Sequence, residues 1–279
     1  VTPKDRALPP LEQAAIGAVF TDFKKIDSES VKSGRLIKKQ DVVFDDLLPR
    51  DLYVWLPENY TPNLPPLPVI YMHDAQNLFE RGKSYTGDEW EVDEALTRLI
   101  EAGTIPPVMV VALGNTSQRW PDYVPAKALA NLPDGLAGRR KAAQGGEALS
   151  DAYLRLIVEN VKPVIDETFN TAPGRETTFI SGSSMGGLIS LYAAGEYPEV
   201  FGGVAALSIH WPLSDPRDPD AQEAIPAMQA WLEGSKIRPD EQILYFDRGT
   251  LNLDATYPPY ADAMAQYFDQ RRWPAEFRV

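Results

Sequence analysis

Thr178-Phe179-Ile180-Ser181-Gly182-Ser183-Ser184-Met185-Gly186-Gly187-Leu188-Ile189 reads as a strand, a tight turn and a helix. Residues 177–181 form an apolar, β-branched run. Gly182 to Gly187 supply the small residues of a sharp turn, and helical spacing follows over 185–196. Inside the turn, Gly182-Ser183-Ser184-Met185-Gly186 matches G-x-S-x-G, the pattern of a nucleophile elbow. Such an elbow holds its serine on a strained turn, so only small neighbours let the strand and helix approach. The helix that begins there aims backbone N–H groups and its positive dipole end at the site, which suits a developing oxyanion. Of the nearby serines, only Ser184 has glycine two residues before and two after it. Roughly one chain of this size in ten or twenty carries the bare pattern by chance at average Gly and Ser usage. The strand–turn–helix setting therefore decides the reading.

Outward from the elbow, strands and helices alternate. Strands are expected at 35–43 and 50–56, joined by a hairpin around Leu48-Pro49, then at 68–72 and 107–113. Beyond the elbow they recur at 203–208, 242–247 and 275–279. Helices are expected at 90–102, 150–168, 221–233 and 256–271, with Ser150 as an N-cap and Pro163 as a kink. The segment 114–148 reads as one long loop. This alternation implies βαβ units, a mostly parallel sheet and an α/β fold. Ligands bind such sheets at the carboxyl ends of the strands. Function is therefore expected just after residues 72, 113, 182, 208 and 247. Residues 1–30 read as an N-terminal arm with one short helix, and 31–279 as the folded domain.

Composition narrows the chemistry. The 279 residues carry 27 basic and 40 acidic side chains, a formal charge of −13, with no basic block. Nucleic acid and anionic membrane surfaces are therefore not expected partners. Cysteine is absent, which excludes disulfides, thiolate catalysis and cysteine-based metal sites, and only His73 and His210 are available as imidazoles. No metal or organic cofactor is expected. The longest apolar run, 107–113, is far short of the roughly 20 residues of a membrane span. No signal peptide is legible, and the chain begins at Val1, which leans the reading towards a mature, exported form.

Several stretches together carry a family resemblance. Besides 182–187 they are Tyr71-Met72-His73-Asp74-Ala75-Gln76-Asn77-Leu78-Phe79, Gly87-Asp88-Glu89-Trp90 and Arg119-Trp120-Pro121-Asp122-Tyr123-Val124-Pro125. Ser208-Ile209-His210-Trp211-Pro212, Tyr245-Phe246-Asp247 and Gly249-Thr250 complete them. The chain resembles, over nearly all of 35–279, the α/β-hydrolase esterases of the esterase D, enterochelin-esterase and feruloyl-esterase type, a group that includes the mycolyltransferases. The resemblance implies a serine carboxylic-ester hydrolase acting on a small-acyl, aromatic-acyl or carbohydrate-linked ester. An acyltransferase built from the same residues and a non-catalytic carbohydrate-binding relative are the alternatives.

Ser184 is the expected nucleophile, and the N–H of Met185 the first oxyanion donor. The second donor should come from the loop after the 68–72 strand, and the resemblance places it at the N–H of Gln76. His73 and Asp74 are expected to brace that loop. The acid should follow the 242–247 strand, since the order in this fold is Ser, Asp/Glu, His. Asp247 and Asp254 are the candidates, and the resemblance favours Asp254. The family's histidine follows the last strand, and here no His lies after residue 210. The triad base is thus expected beyond Val279, with His210 as a pocket residue or a substitute base. Trp90, Arg119, His210 and Trp211 are expected around the substrate pocket.

Overall fold

The computed structural model describes residues 24–25, 31–45, 47–82, 84, 87–143 and 145–279. The expected N-terminal arm lies, apart from Lys24 and Lys25, outside the described residues. Among the described residues nine strands form one sheet: β1 (Lys24–Lys25), β2 (Arg35–Phe44), β3 (Leu47–Leu56), β4 (Val69–His73), β5 (Met109–Leu113), β6 (Thr178–Ser183), β7 (Gly203–Leu207), β8 (Ile243–Asp247) and β9 (Glu276–Arg278). Their order is β1-β2-β3-β5-β4-β6-β7-β8-β9. The first three strands join antiparallel, and every pairing from β5 to β9 is parallel.

The helices are α1 (Ala75–Phe79), α2 (Val92–Glu101), α3 (Arg119–Tyr123), α4 (Ala126–Ala130), α5 (Leu136–Ala143), α6 (Ser150–Arg155), α7 (Lys162–Thr168), α8 (Met185–Glu196), α9 (Ala224–Gly234) and α10 (Pro258–Gln270). Alternate strand residues face opposite layers, as a pleat requires. Tyr53, Trp55, Met72, Val110 and Ala112 pack with Leu78 and Phe79 of α1, with Leu96 of α2 at the edge of the cluster. Val54, Leu56, Tyr71, Val111 and Leu113 join the larger core on the other face, which also takes in α8. Helix α8 is buried from Met185 to Gly195, so it reads as apolar all round.

Three expectations need correction. Leu48-Pro49 is not the hairpin turn, because β3 already begins at Leu47. Pro49 lies inside β3 ahead of Leu52, where the β5 pairing begins, so its missing N–H breaks no bond on that side. Ser150 is not a cap. It lies in the first turn of α6, with Leu149 at the cap, and its hydroxyl accepts the Ala126 N–H at 3.0 Å. The 150–168 helix also carries a π-helical segment, Leu156–Val161, immediately before Lys162 and Pro163. A π turn absorbs the bond that a proline removes.

The segment 114–148 is not a bare loop, because α3, α4 and α5 lie within it. Each is too short to be stable alone. Tertiary contacts hold them: Tyr123, Leu129 and Leu136 are buried, and Asp122 of α3 meets Arg50 of β3 at 3.1 Å with both side chains fully buried. Among the described residues no helix is long and apolar enough to cross a membrane.

Candidate active site

The parallel pairing of β4, β6, β7 and β8 brings four strand ends to one edge of the sheet. Ser184 follows β6 with φ 58° and ψ −119°, a strained conformation for a residue bearing a Cβ. Three backbone bonds hold it there: its N–H donates to Leu207 O (2.8 Å), and its carbonyl accepts from Leu188 N (3.1 Å) and His210 N (3.2 Å). The elbow is thus fastened to α8 and to the segment after β7. Met185 is the first residue of α8, so its N–H has no acceptor within the helix.

The glycines explain how the turn closes. A Cβ on Gly182 would stand 2.7 Å from the Gly186 carbonyl carbon and 2.9 Å from His73 Cδ2. A Cβ on Gly186 would lie 3.3 Å from Asp74 Oδ2. The His73–Asp74 loop therefore lies directly against the elbow. Gly182→Ala is expected to destabilise the fold by about 2 kcal/mol through this overpacking, roughly 4 °C in thermal midpoint. A melt matching the wild type would contradict it.

That loop is heavily braced. Asp74 is buried at φ 57° and ψ 48°. Its carboxylate takes Arg119 Nε and NH2 in a fork, both at 2.8 Å, and Asn115 Nδ2 at 2.5 Å. Burial opposes ionisation of Asp74, but the Arg119 bonds and charge, with the Asn115 bond, outweigh it and hold its pKa below the usual value. His73 is fully buried and binds Tyr153 Oη through Nδ1 at 2.7 Å. Burial pushes its pKa down to about 3, against the opposing charge of Asp74. Gln76 exchanges two bonds with Asn115, one of them from Asn115 N to Oε1 at 3.1 Å. Its own N–H belongs to the first turn of α1, which leaves it without a helical acceptor.

Beyond β8, the two acidic candidates part company. Asp247 accepts the Ser208 N–H at 2.7 Å and the Tyr245 hydroxyl at 3.2 Å, one on each oxygen. Asp254 receives both its bonds on Oδ2, from the Ser208 hydroxyl and the Gly249 N–H, each at 2.6 Å. Its Oδ1 has no hydrogen-bond partner among the described residues. Asp254 does not cap α10; Tyr257 occupies that position.

The pocket expectations divide. Arg119 is partly exposed and spends its fork on Asp74, with its guanidinium 5.1 Å from the Tyr123 ring. Trp90 is half-buried and packs at the margin of the smaller core. Trp211 is not on the rim. It is 1% exposed and packs against Phe246 at 5.6 Å, because the segment after β7 turns its indole under the sheet edge. His210 is buried, with Nδ1 2.9 Å from Tyr257 Oη and Nε2 2.8 Å from Ser214 O. Tyr257 and Trp120 were not singled out in sequence. The Tyr257 hydroxyl meets His210 Nδ1 at 2.9 Å, and Trp120 stands edge-on to His210 at 5.9 Å. Trp120 lies inside a family-like stretch, which was a usable signal, whereas nothing local marked Tyr257.

One carboxylate cluster lies elsewhere: Glu89, Asp93 and Glu94 offer oxygens within 4.8 Å of one another. The Lys32 ammonium sits among them, bonded to Glu94 and 3.8 Å from Glu89, and supplies the balancing charge.

A parallel α/β sheet with a strained serine at the β6–α8 turn defines an α/β hydrolase. Residues 49–278 match the family model described as "Putative esterase", and the chain belongs to that esterase family. The ferri-bacillibactin esterase BesA of Bacillus subtilis (strain 168) is 29% identical over 171 residues, 58% of this chain and 55% of that protein. The uncharacterized protein YbbA of the same organism is 26% identical over 159 residues, 57% of this chain and 56% of that protein. The match with these curated relatives thus spans just over half of their length. Among solved structures, a ferulic acid esterase superposes with TM-score 0.58 at 17% identity, over 88% of this chain and 89% of its own. The enterobactin esterase FES of Shigella flexneri gives 0.58 at 16%, over 92% and 53%. These structural likenesses carry the fold.

Proposed function

We propose that the chain is a serine carboxylic-ester hydrolase working through an acyl-enzyme on Ser184. The observation that carries this is the strained Ser184 at the N-terminus of α8, closed against the Asp74–Gln76 loop. Ser184 Oγ attacks the acyl carbon. The carbonyl oxygen gathers charge and is met by the N–H groups of Met185 and Gln76, which need no reorganisation. The alcohol leaves, and water then releases the acid.

Asp254 is the acid in this reading, since its Oδ1 is open while both oxygens of Asp247 are taken. In the family the histidine follows the last strand. Here Arg278 of β9 stands opposite Asp247, and Arg248 N–H donates to Arg278 O at 3.2 Å. A histidine following β9 would emerge at this edge, beside Asp254. The substrate is a small-acyl, aromatic-acyl or carbohydrate-linked ester. The similarity to a ferulic acid esterase, together with half-buried Trp90 and Trp120, supports an aromatic acyl group.

The test is the intact mass before and after a fluorophosphonate probe, with product analysis on a feruloyl ester with and without a sugar acceptor. One probe per chain and free ferulic acid are expected. An unlabelled, inert chain would favour a binding protein, and acyl transfer to the sugar would make it a transferase.

A further inference from the structure

The segment that follows β7 is bonded to both halves of the site. Leu207 O accepts the Ser184 N–H at 2.8 Å, and the His210 N–H donates to Ser184 O at 3.2 Å. Between these two anchors lies Ser208, at φ 44°, a left-handed conformation that a non-glycine residue holds only where its surroundings impose it. Here two carboxylates impose it. The Ser208 N–H donates to Asp247 Oδ1 at 2.7 Å, and the Ser208 hydroxyl donates to Asp254 Oδ2 at 2.6 Å. The other oxygen of Asp247 takes the Tyr245 hydroxyl at 3.2 Å, so Asp247 is the strut that keeps Ser208 in its turn.

The same segment reaches the acid a second time. Asp254 lies in a single 3₁₀ turn, Asn252–Thr256, and its carbonyl accepts the N–H of Tyr257 at 3.0 Å. The Tyr257 hydroxyl is 2.9 Å from His210 Nδ1, while His210 Nε2 is 2.8 Å from Ser214 O. Both ring nitrogens of His210 are thus engaged, and the ring braces the turn that carries Asp254. Residues 207–210 therefore grip the nucleophile through main chain and the acid through side chains. On the far side, the Gly249 N–H adds a second donor to Asp254 Oδ2 at 2.6 Å, and a Cβ at 249 would stand 2.8 Å from that oxygen. Two donors on one oxygen stop the carboxylate from rotating and leave Oδ1 as the oxygen open to another donor.

We propose that Ser208 is a positioning residue of the ester hydrolase: its hydroxyl fixes the Asp254 carboxylate relative to Ser184 and reserves Oδ1 for the base. The proposal rests on the readings of Ser184 as nucleophile and Asp254 as acid. Ser208 touches no reacting atom. Without its hydroxyl, Oδ2 keeps only the Gly249 N–H, and the carboxylate can turn about that single bond. A shift of about 1 Å in an acting group costs on the order of 100-fold in rate.

The experiment measures kcat and KM for p-nitrophenyl acetate hydrolysis by the intact protein. Ser208→Ala is expected to lower kcat about 100-fold with KM within about twofold, since no substrate contact is lost. Ser208→Gly should do the same. Glycine accepts φ 44° without strain, so this variant secures the result if the alanine variant melts early. Asp254→Asn is expected to cost about 10⁴-fold. Adding Ser208→Ala to it should cost about twofold more at most, because the serine acts only through that carboxylate. An equal loss from Ser208→Ala in both backgrounds would mean a general structural role and overturn the proposal, as would wild-type kcat in both Ser208 variants. Other outcomes strike the readings beneath it. Asp254→Asn at the wild-type rate, or Asp247→Asn with the loss expected of Asp254→Asn, removes Asp254 as the acid. Fluorophosphonate labelling that survives Ser184→Ala removes Ser184 as the nucleophile. A wild-type protein without turnover overturns the hydrolase reading and the proposal with it.

Discussion

Ser184→Ala is expected to lower ester hydrolysis by about 10⁴-fold or more while leaving the fold intact. The size follows from the role: a nucleophile and its proton acceptor act as a unit, and losing the attacking atom removes nearly all the catalysis they share. The retained fold follows from the bonds. What holds residue 184 at φ 58° is backbone: its N–H on Leu207 O, and its carbonyl on Leu188 N and His210 N. None of these needs the hydroxyl, and alanine carries the same Cβ into the same strained region. The hydroxyl itself takes no part in these bonds. Its loss costs at most about 1 kcal/mol. Hydrolysis of a feruloyl ester and a thermal melt, measured on both proteins, check the two halves. A variant keeping a tenth of the activity would sink Ser184 as nucleophile. A variant that lost both activity and its melting transition would mean that the hydroxyl is structural.

Much of this was legible in the chain, and the reason is local. The elbow, β4, β5 and the parallel strands beyond are short apolar runs bounded by Gly and Pro, and α8 begins and ends where its spacing says. What escaped depends on contacts distant in sequence. The helices of 114–148 have no sustained apolar period and exist because Tyr123, Leu129 and Leu136 find the core. Arg119 looks like a substrate ligand by position, yet Asp74, 45 residues earlier, takes its whole fork. Trp211 looks like a rim aromatic, but the turn after β7 buries it on Phe246. Tyr257 carries no motif. It acquires its place only when the residue that caps α10 meets His210, 47 positions away.

Acid should unfold the chain earlier than its carboxylates alone would dictate. His73 and His210 are both buried and neutral, with pKa values lowered chiefly by burial to about 3 and about 4. In the unfolded chain both titrate near 6.5. Below that pH the unfolded state binds two more protons than the folded state, so stability falls as pH falls, by about 2.7 kcal/mol per unit. Two carboxyls work the other way, since burial raises Asp122 above its usual value as well as Asp93. Burial, and then the adjacent Glu94 carboxylate, push the Asp93 carboxyl up to about 6, so below pH 6 the folded state takes one extra proton. The net loss then slows to about 1.4 kcal/mol per unit. From pH 6.5 to 4.5 the sum is about 3 kcal/mol, a large share of the 5–15 kcal/mol that holds a typical domain together. Asp74, held below its usual pKa, adds its loss only below that range. Urea midpoints at half-unit steps from pH 7.5 to 4.5 would show this, steep near 6.5 and shallower below 6. Asp93→Asn should keep the steep slope throughout, and His73→Asn should remove one proton from it. A midpoint constant across that range would mean that one of the rings is already charged in the folded state. For His210 that would destroy the acceptor at Nδ1 that the Tyr257 hydroxyl meets at 2.9 Å.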